Sequence, residues 1–91
     1  MQDDSFEWDD VKAASNLAKH GVTFEAARQA FDDPLALEEP DDEPDEERWR
    51  LIGSTEGVVH FVVYTERGSR RRIISARRAT TAERQRYSNG E

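Results

Sequence analysis

The chain has no cysteine. Disulfide staples and thiolate metal sites are excluded, and a reducing compartment, the cytoplasm, is the expected location. Histidine is scarce: His20 and His60 stand alone, with no His-x-x-x-His spacing. A zinc site of ordinary design lacks ligands, and a Ser-His-Asp triad has neither a nucleophile motif nor a choice of bases. Glycine-rich phosphate loops are missing in both the Gly-x-x-x-x-Gly-Lys-Ser/Thr and the Gly-x-Gly-x-x-Gly form, so a nucleotide cofactor has no anchor. We therefore expect no cofactor and no metal. No run approaches the ~20 apolar residues of a membrane span. The opening Met1-Gln2-Asp3-Asp4-Ser5 is acidic and leads into no apolar stretch, unlike a secretory signal.

What is present is charge, unevenly placed. Charged residues make up 36% of the 91 and hydrophobic residues 35%, with a net charge of −7. Residues 1–50 hold 16 acids against five bases, whereas residues 51–91 hold four acids against eight bases, all arginine. The net charge argues against a nucleic-acid partner, but the arginine-rich half argues for a phosphate-facing surface. The length suits one domain, residues 1–91. A chain of this size buries only about 60–65% of its unfolded surface, so a bound partner can supply much of its working stability.

Helical periodicity runs over residues 9–19. Asp9 or Asp10 can cap it, Val11, Ala14, Leu17 and Ala18 make an apolar face, and Gly21 suits its left-handed end. Phe6 and Trp8 precede the cap and should fold back on the core. A second helix starts after Thr23, carries Phe24, Ala27 and Phe31, and stops at Asp33-Pro34. Leu35-Ala36-Leu37 reads as a short strand. Residues 38–47 hold eight acids and two prolines with nothing apolar, and read as a solvated, self-repelling loop.

Strands follow at 48–53, 58–65 and 71–77, joined by turns at 54–57 and 66–69. The middle one is β-branched and apolar enough to be central. Thr80-Thr81-Ala82-Glu83 fits a capping box that opens a closing helix bearing Arg84, Arg86 and Tyr87. The order α-α-β-β-β-β-α gives an α+β domain: an antiparallel sheet with helices on one face.

The arginines on these strands are the strongest chemical lead. Alternation puts Arg48 and Arg50 opposite Trp49 and Leu51, and Arg77 opposite Ala76. His60, Val62 and Tyr64 share one face of the central strand, and Tyr64 or His60 could lie near the arginines. Guanidinium binds phosphate through two parallel N–H bonds and stays charged at physiological pH. Plainer readings stand beside these. Exposed arginines often only solubilise a sheet face, a histidine in an apolar strand often only packs, and Trp8 and Trp49 suit a core. Lys19-His20 suits a helix C-terminus.

Several ordered blocks complete the reading: Phe6-Glu7-Trp8-Asp9, Lys19-His20-Gly21-Val22, Phe31-Asp32-Asp33-Pro34-Leu35, Glu47-Arg48, Val62-Val63-Tyr64-Thr65-Glu66-Arg67, and Arg72-Ile73-Ile74-Ser75-Ala76-Arg77-Arg78-Ala79, with Glu83-Arg84 and Tyr87 behind. Together, over residues 6–87, they resemble the BrnT family of toxins from type II toxin–antitoxin systems. The acidic 38–47 run departs from that pattern. The resemblance implies a RelE-like fold and a metal-independent ribonuclease that inhibits translation. It also implies a BrnA-type ribbon-helix-helix antitoxin, with operator DNA reached only through that antitoxin. Arg48 and Arg77 would be phosphate ligands, with Tyr64 and His60 as further catalytic candidates and Glu47 as another possible base. Arg50, Arg67, Arg72 and Arg78 would bind the RNA backbone. The rival reading is a non-catalytic, acidic protein-interaction module built on residues 38–47.

Overall fold

The computed structural model describes residues 1–41 and 47–90. Its elements are β1 (Phe6–Glu7), α1 (Asp10–His20), α2 (Phe24–Ala30), β2 (Leu37–Pro40), β3 (Trp49–Thr55), β4 (Val58–Arg67), β5 (Arg70–Arg78) and α3 (Thr81–Asn89). One sheet runs in the order β1-β5-β4-β3-β2. The expected class holds, but two features differ. The sheet has five strands and is mixed, because the two-residue β1 pairs parallel to β5, Phe6 opposite Arg71 and Glu7 opposite Arg72. Helices also cover both faces, with α1 and α2 on one and α3 on the other.

Turn chemistry sets the register. Glu56 (φ 51°) and Gly57 (φ 80°) make a two-residue turn with both central residues left-handed, the geometry whose twist matches flanking strands. That pairs Thr55 with Val58 and carries Leu51 opposite Val62 and Trp49 opposite Tyr64. A bulge at Val63/Tyr64 then shifts the β4–β5 register, so Tyr64 meets Ile73 rather than Ile74. Ile73 is accordingly buried.

The core lies between this sheet face and α2. Phe24, Ala27 and Ala30 of α2 and Leu51 and Val62 of the sheet are wholly buried. Trp8 meets Phe24 edge-on at 5.8 Å, Phe6 meets Phe31 at 5.1 Å, and Phe31 meets Tyr64 at 5.0 Å. Phe6 and Trp8 thus fold back as their sequence predicts. Gly53 is required by close approach: a Cβ there would come within 2.7 Å of the Ala30 carbonyl oxygen.

Helix α1 sits the other way round from its periodicity. Val11 is 78% exposed and Leu17 47%, while Asn16 is buried and Ala13 packs on the core. The reason is the outer edge of β5, whose backbone at Ala76 needs partners. Asn16 supplies them, so the helix turns its amide inward and its small apolar face outward.

The acidic run is also corrected. Glu38, Glu39 and Pro40 belong to β2, where Glu39 lies opposite Arg50 and Glu38 opposite Leu51. They are strand, not loop, and both carboxylates accept hydrogen bonds. Residues 42–46 of that run lie outside the described residues.

Candidate nucleic-acid interface

Strand pairing gathers three of the candidate arginines on the face away from α1 and α2. Arg50 lies opposite Val63, Val63 opposite Ser75, Thr65 opposite Arg72, and Phe61 opposite both Ile52 and Arg77. Because directly opposed residues share a face, Arg50, Arg72 and Arg77 stand together with Ile52, Phe61 and Val63. Arg48 precedes β3, half-buried, with its carbonyl accepting from the Asp41 amide at 2.9 Å.

Each of the three has a carboxylate. Arg77 donates from both terminal nitrogens to Glu83, at 2.8 and 3.0 Å, and its Cζ sits 4.2 Å from the Phe61 ring centroid. Arg72 donates to Glu7 Oε2 at 2.7 Å. Arg50 Nε donates to Glu39 Oε1 at 2.8 Å and lies 3.5 Å from Asp41. The environment keeps the acids ionised. Burial pushes the Glu83 carboxyl up, but the bonds from Arg77 and the Thr80 amide outweigh it and hold it below the usual range. Hydrogen bonds from Arg86, with help from Arg50, likewise hold Glu39 low against its burial.

Helix α3 crosses this face with none of its own residues buried, although Ile52 of that face is wholly buried. Polar links hold it. The capping box forms as its sequence predicts, with the Glu83 amide donating to Thr80 Oγ1 at 3.2 Å and the Thr80 amide to Glu83 Oε1 at 2.8 Å. At its other end Arg86 donates to both oxygens of Glu39, at 3.0 and 2.7 Å, and Tyr87 donates to Asp33. The pairing of Arg86 with Glu39 is not an expectation of the sequence. A signal existed: once Thr80 caps the helix, Glu83, Arg86 and Tyr87 fall on one side of it.

His60 and Tyr64 are not brought to Arg50, Arg72 and Arg77; His60 instead lies opposite Arg78. The same pairing that puts Arg50 on one face puts both of them on the other, with Leu51, under the helices. Tyr64 is 2% exposed, and its hydroxyl donates to Glu38 Oε2 at 2.6 Å. Burial, then Glu38, pushes that hydroxyl far above its ordinary pKa. His60 is 5% exposed and its Nδ1 has no hydrogen-bond partner among the described residues; burial, then the nearby Arg78, pushes its pKa down. Arg67 and Arg78 are exposed, Arg67 at the β4–β5 hairpin and Arg78 at the end of β5. Arg71, not a candidate, lies 5.0 Å over the Phe31 ring. Among the described residues no group of three or more His, Asp and Glu could hold a metal ion, and no helix is long and apolar enough to cross a membrane.

A face of arginines fits a phosphate polymer, and the comparison with known families names the setting. The family model described as "Ribonuclease toxin, BrnT, of type II toxin-antitoxin system" matches residues 8–83. The chain belongs to the BrnT family. It is a ribonuclease toxin of a type II toxin–antitoxin system, with RNA as target and an antitoxin as partner. The match takes in Arg48, Arg50, Arg67, Arg72, Arg77, Arg78 and Glu83, and ends before Arg86. No curated protein matches the chain.

Proposed function

We propose that this BrnT-family chain cleaves RNA on the Arg50/Arg72/Arg77 face without a metal ion. The observation that carries the reading is the gathering of those arginines on one sheet face in a member of a ribonuclease-toxin family. The RNA 2′-oxygen attacks the adjacent phosphorus and the bond to the 5′-oxygen breaks. A 2′,3′-cyclic phosphate and a 5′-hydroxyl remain. The 2′-proton goes to a base and the 5′-oxygen gains one. Arg48 and Arg77 stabilise the extra charge on the pentacoordinate phosphorus, a contribution of about 3–4 kcal/mol for one well-placed donor. Arg50 and Arg72 position the strand, and Arg67 holds the backbone at the β4–β5 hairpin, whereas Arg78 lies opposite His60 on the other face. Of the groups weighed as base, Glu47 is the exposed one, next to Arg48. Tyr64 and His60 are buried on the far face and are less suited to touch RNA there.

In the same reading the toxin acts in the cytoplasm by inhibiting translation. A BrnA-type ribbon-helix-helix antitoxin neutralises it and carries it to operator DNA. Expression of Arg48→Ala and Arg77→Ala without antitoxin tests the site. Each folded variant is expected to leave cellular RNA intact and growth unimpaired. Growth arrest equal to wild type in both would overturn the assignment. A purified toxin that cleaves RNA only when divalent ions are added would overturn the metal-free mechanism.

A further inference from the structure

Glu39 differs from the other carboxylates on the arginine face. Glu83 is consumed by the cap of α3, and Glu7 meets Arg72 across neighbouring strands. Glu39 instead lies between two guanidinium groups from separate elements. Its Oε1 accepts from Arg50 Nε at 2.8 Å and from Arg86 Nη1 at 3.0 Å, and its Oε2 accepts from Arg86 Nη2 at 2.7 Å.

We propose that Arg50 and Arg86 form a phosphodiester subsite, which the free toxin keeps closed with its own Glu39 carboxylate. RNA then binds there by displacing Glu39. This rests on the RNA-binding reading above and adds to it both a new ligand, Arg86, and a self-inhibiting contact.

Three observations support it. The first is shape. A carboxylate offers two oxygens at one edge, and so does a phosphodiester through its non-bridging oxygens; guanidinium binds either with two parallel N–H bonds. A pair of guanidiniums closed on a carboxylate is therefore already spaced for a phosphate. The second is access. The side chains of Glu39, Arg50 and Arg86 retain 27%, 28% and 38% of their exposure, so a strand can reach the pair from solvent. With that much solvent contact, a phosphate can compete with the carboxylate for the two guanidinium groups. The third is attachment. Glu39 lies on a four-residue edge strand that pairs only with β3 and ends at Pro40, which has no N–H to donate. Moving Glu39 aside disturbs no central strand.

The test is binding of a 2′-O-methyl oligoribonucleotide, which lacks the attacking hydroxyl and stays uncleaved. Fluorescence anisotropy would compare wild type, Glu39→Gln, Glu39→Asp, Arg86→Gln and the double variant E39Q/R86Q across salt concentrations. Glu39→Gln keeps the shape and removes the charge. It is expected to bind about tenfold tighter, the scale of one charge-assisted hydrogen bond released to a new partner. Its affinity should fall more steeply with salt, since one more phosphate is neutralised. Glu39→Asp, with its carboxylate drawn back by one methylene, should move the same way by less. Arg86→Gln should cancel the gain in the double variant.

Wild-type affinity in both Glu39 variants, with unchanged circular dichroism, would overturn the proposal. So would a gain seen only with a synthetic oligoglutamate, which would make the pair a carboxylate site for an acidic protein segment. The two readings fail separately. Tighter binding by Glu39→Gln beside a wild type that cuts no RNA keeps the subsite and removes the ribonuclease mechanism. Cleavage by wild type with no effect of Glu39 does the reverse.

Discussion

Asn16 and Ala76, sixty positions apart, are joined by two hydrogen bonds. The Asn16 Nδ2 donates to the Ala76 carbonyl at 2.8 Å, and the Ala76 amide donates to Asn16 Oδ1 at 3.1 Å. The side-chain amide thus takes the place of a neighbouring strand on the outer edge of β5, beyond the point where β1 pairs with it. A second Nδ2 bond at 3.0 Å goes to the Val22 carbonyl and fixes the turn between α1 and α2. Asn16→Ala leaves buried backbone groups without partners and is expected to cost about 1–3 kcal/mol. Asn16→Asp should be at least as harmful, because a carboxylate cannot donate to either carbonyl. Urea unfolding of both variants checks this; a loss below half a kcal/mol, on the order of a surface substitution, would mean water replaces the amide.

Tyr64 offers a test of which sheet face carries the chemistry. Its ring packs against Phe31 and its hydroxyl donates to Glu38. Tyr64→Phe keeps the ring and removes that bond, so stability should drop by about 1 kcal/mol. RNA cleavage measured on the folded variant should stay within a factor of two of wild type, on the order of the scatter a remote substitution produces. A hundredfold loss would move the active face to the helix side of the sheet.

His60 sets an acid limit on the fold. Burial, then the nearby Arg78, depresses its folded-state pKa below the ordinary value near 6.5. The unfolded chain therefore binds the proton more readily, and protonation favours unfolding. Stability should be full above about pH 7 and should decline as the pH falls through the ordinary histidine range. Thermal melting from pH 7.5 to 5 would show it, and His60→Gln should flatten the profile in that window. A second decline lies lower. The carboxyl of Asp3 is held down to about 2 by amide bonds from Phe6 and Ser5 and by Arg28, so its contribution disappears between its unfolded pKa of about 4 and that value.

Local chemistry made much of this fold legible. The Asp9 and Thr80 caps, the Gly21 C-cap, the apolar run of β4 and the stop near Asp33-Pro34 all carry short-range signals, and each element appears within a few residues of its expected bounds. The face of Arg50 and Arg77 followed from alternation. The position of His60 and Tyr64 was legible too, since a turn of either two or four residues after β3 sets them on the Leu51 side. The rest depends on tertiary partners. Two residues of β1 have no periodicity to read, and their pairing with β5 exists only when the chain closes. The inward turn of Asn16 answers an edge of β5 that α1's own sequence does not contain. The joining of Arg86 to Glu39 needs α3 to cross the sheet, which helix periodicity alone does not specify.

The parallel β1–β5 pair bears on how the toxin comes into being. Glu7 and Arg72 are 65 positions apart, and the nearer antiparallel bridge from Gln2 to Glu7 does not replace their pairing. Closing so long a loop costs entropy before any contact repays it, which makes the step late and cooperative. During synthesis Asn16 of α1 has no β5 edge to bond until that strand has emerged. The arginine face is assembled at the same moment, because Arg72 and Arg77 are themselves on β5. In the reading proposed above, the RNA-binding face does not exist before β5 is made and paired.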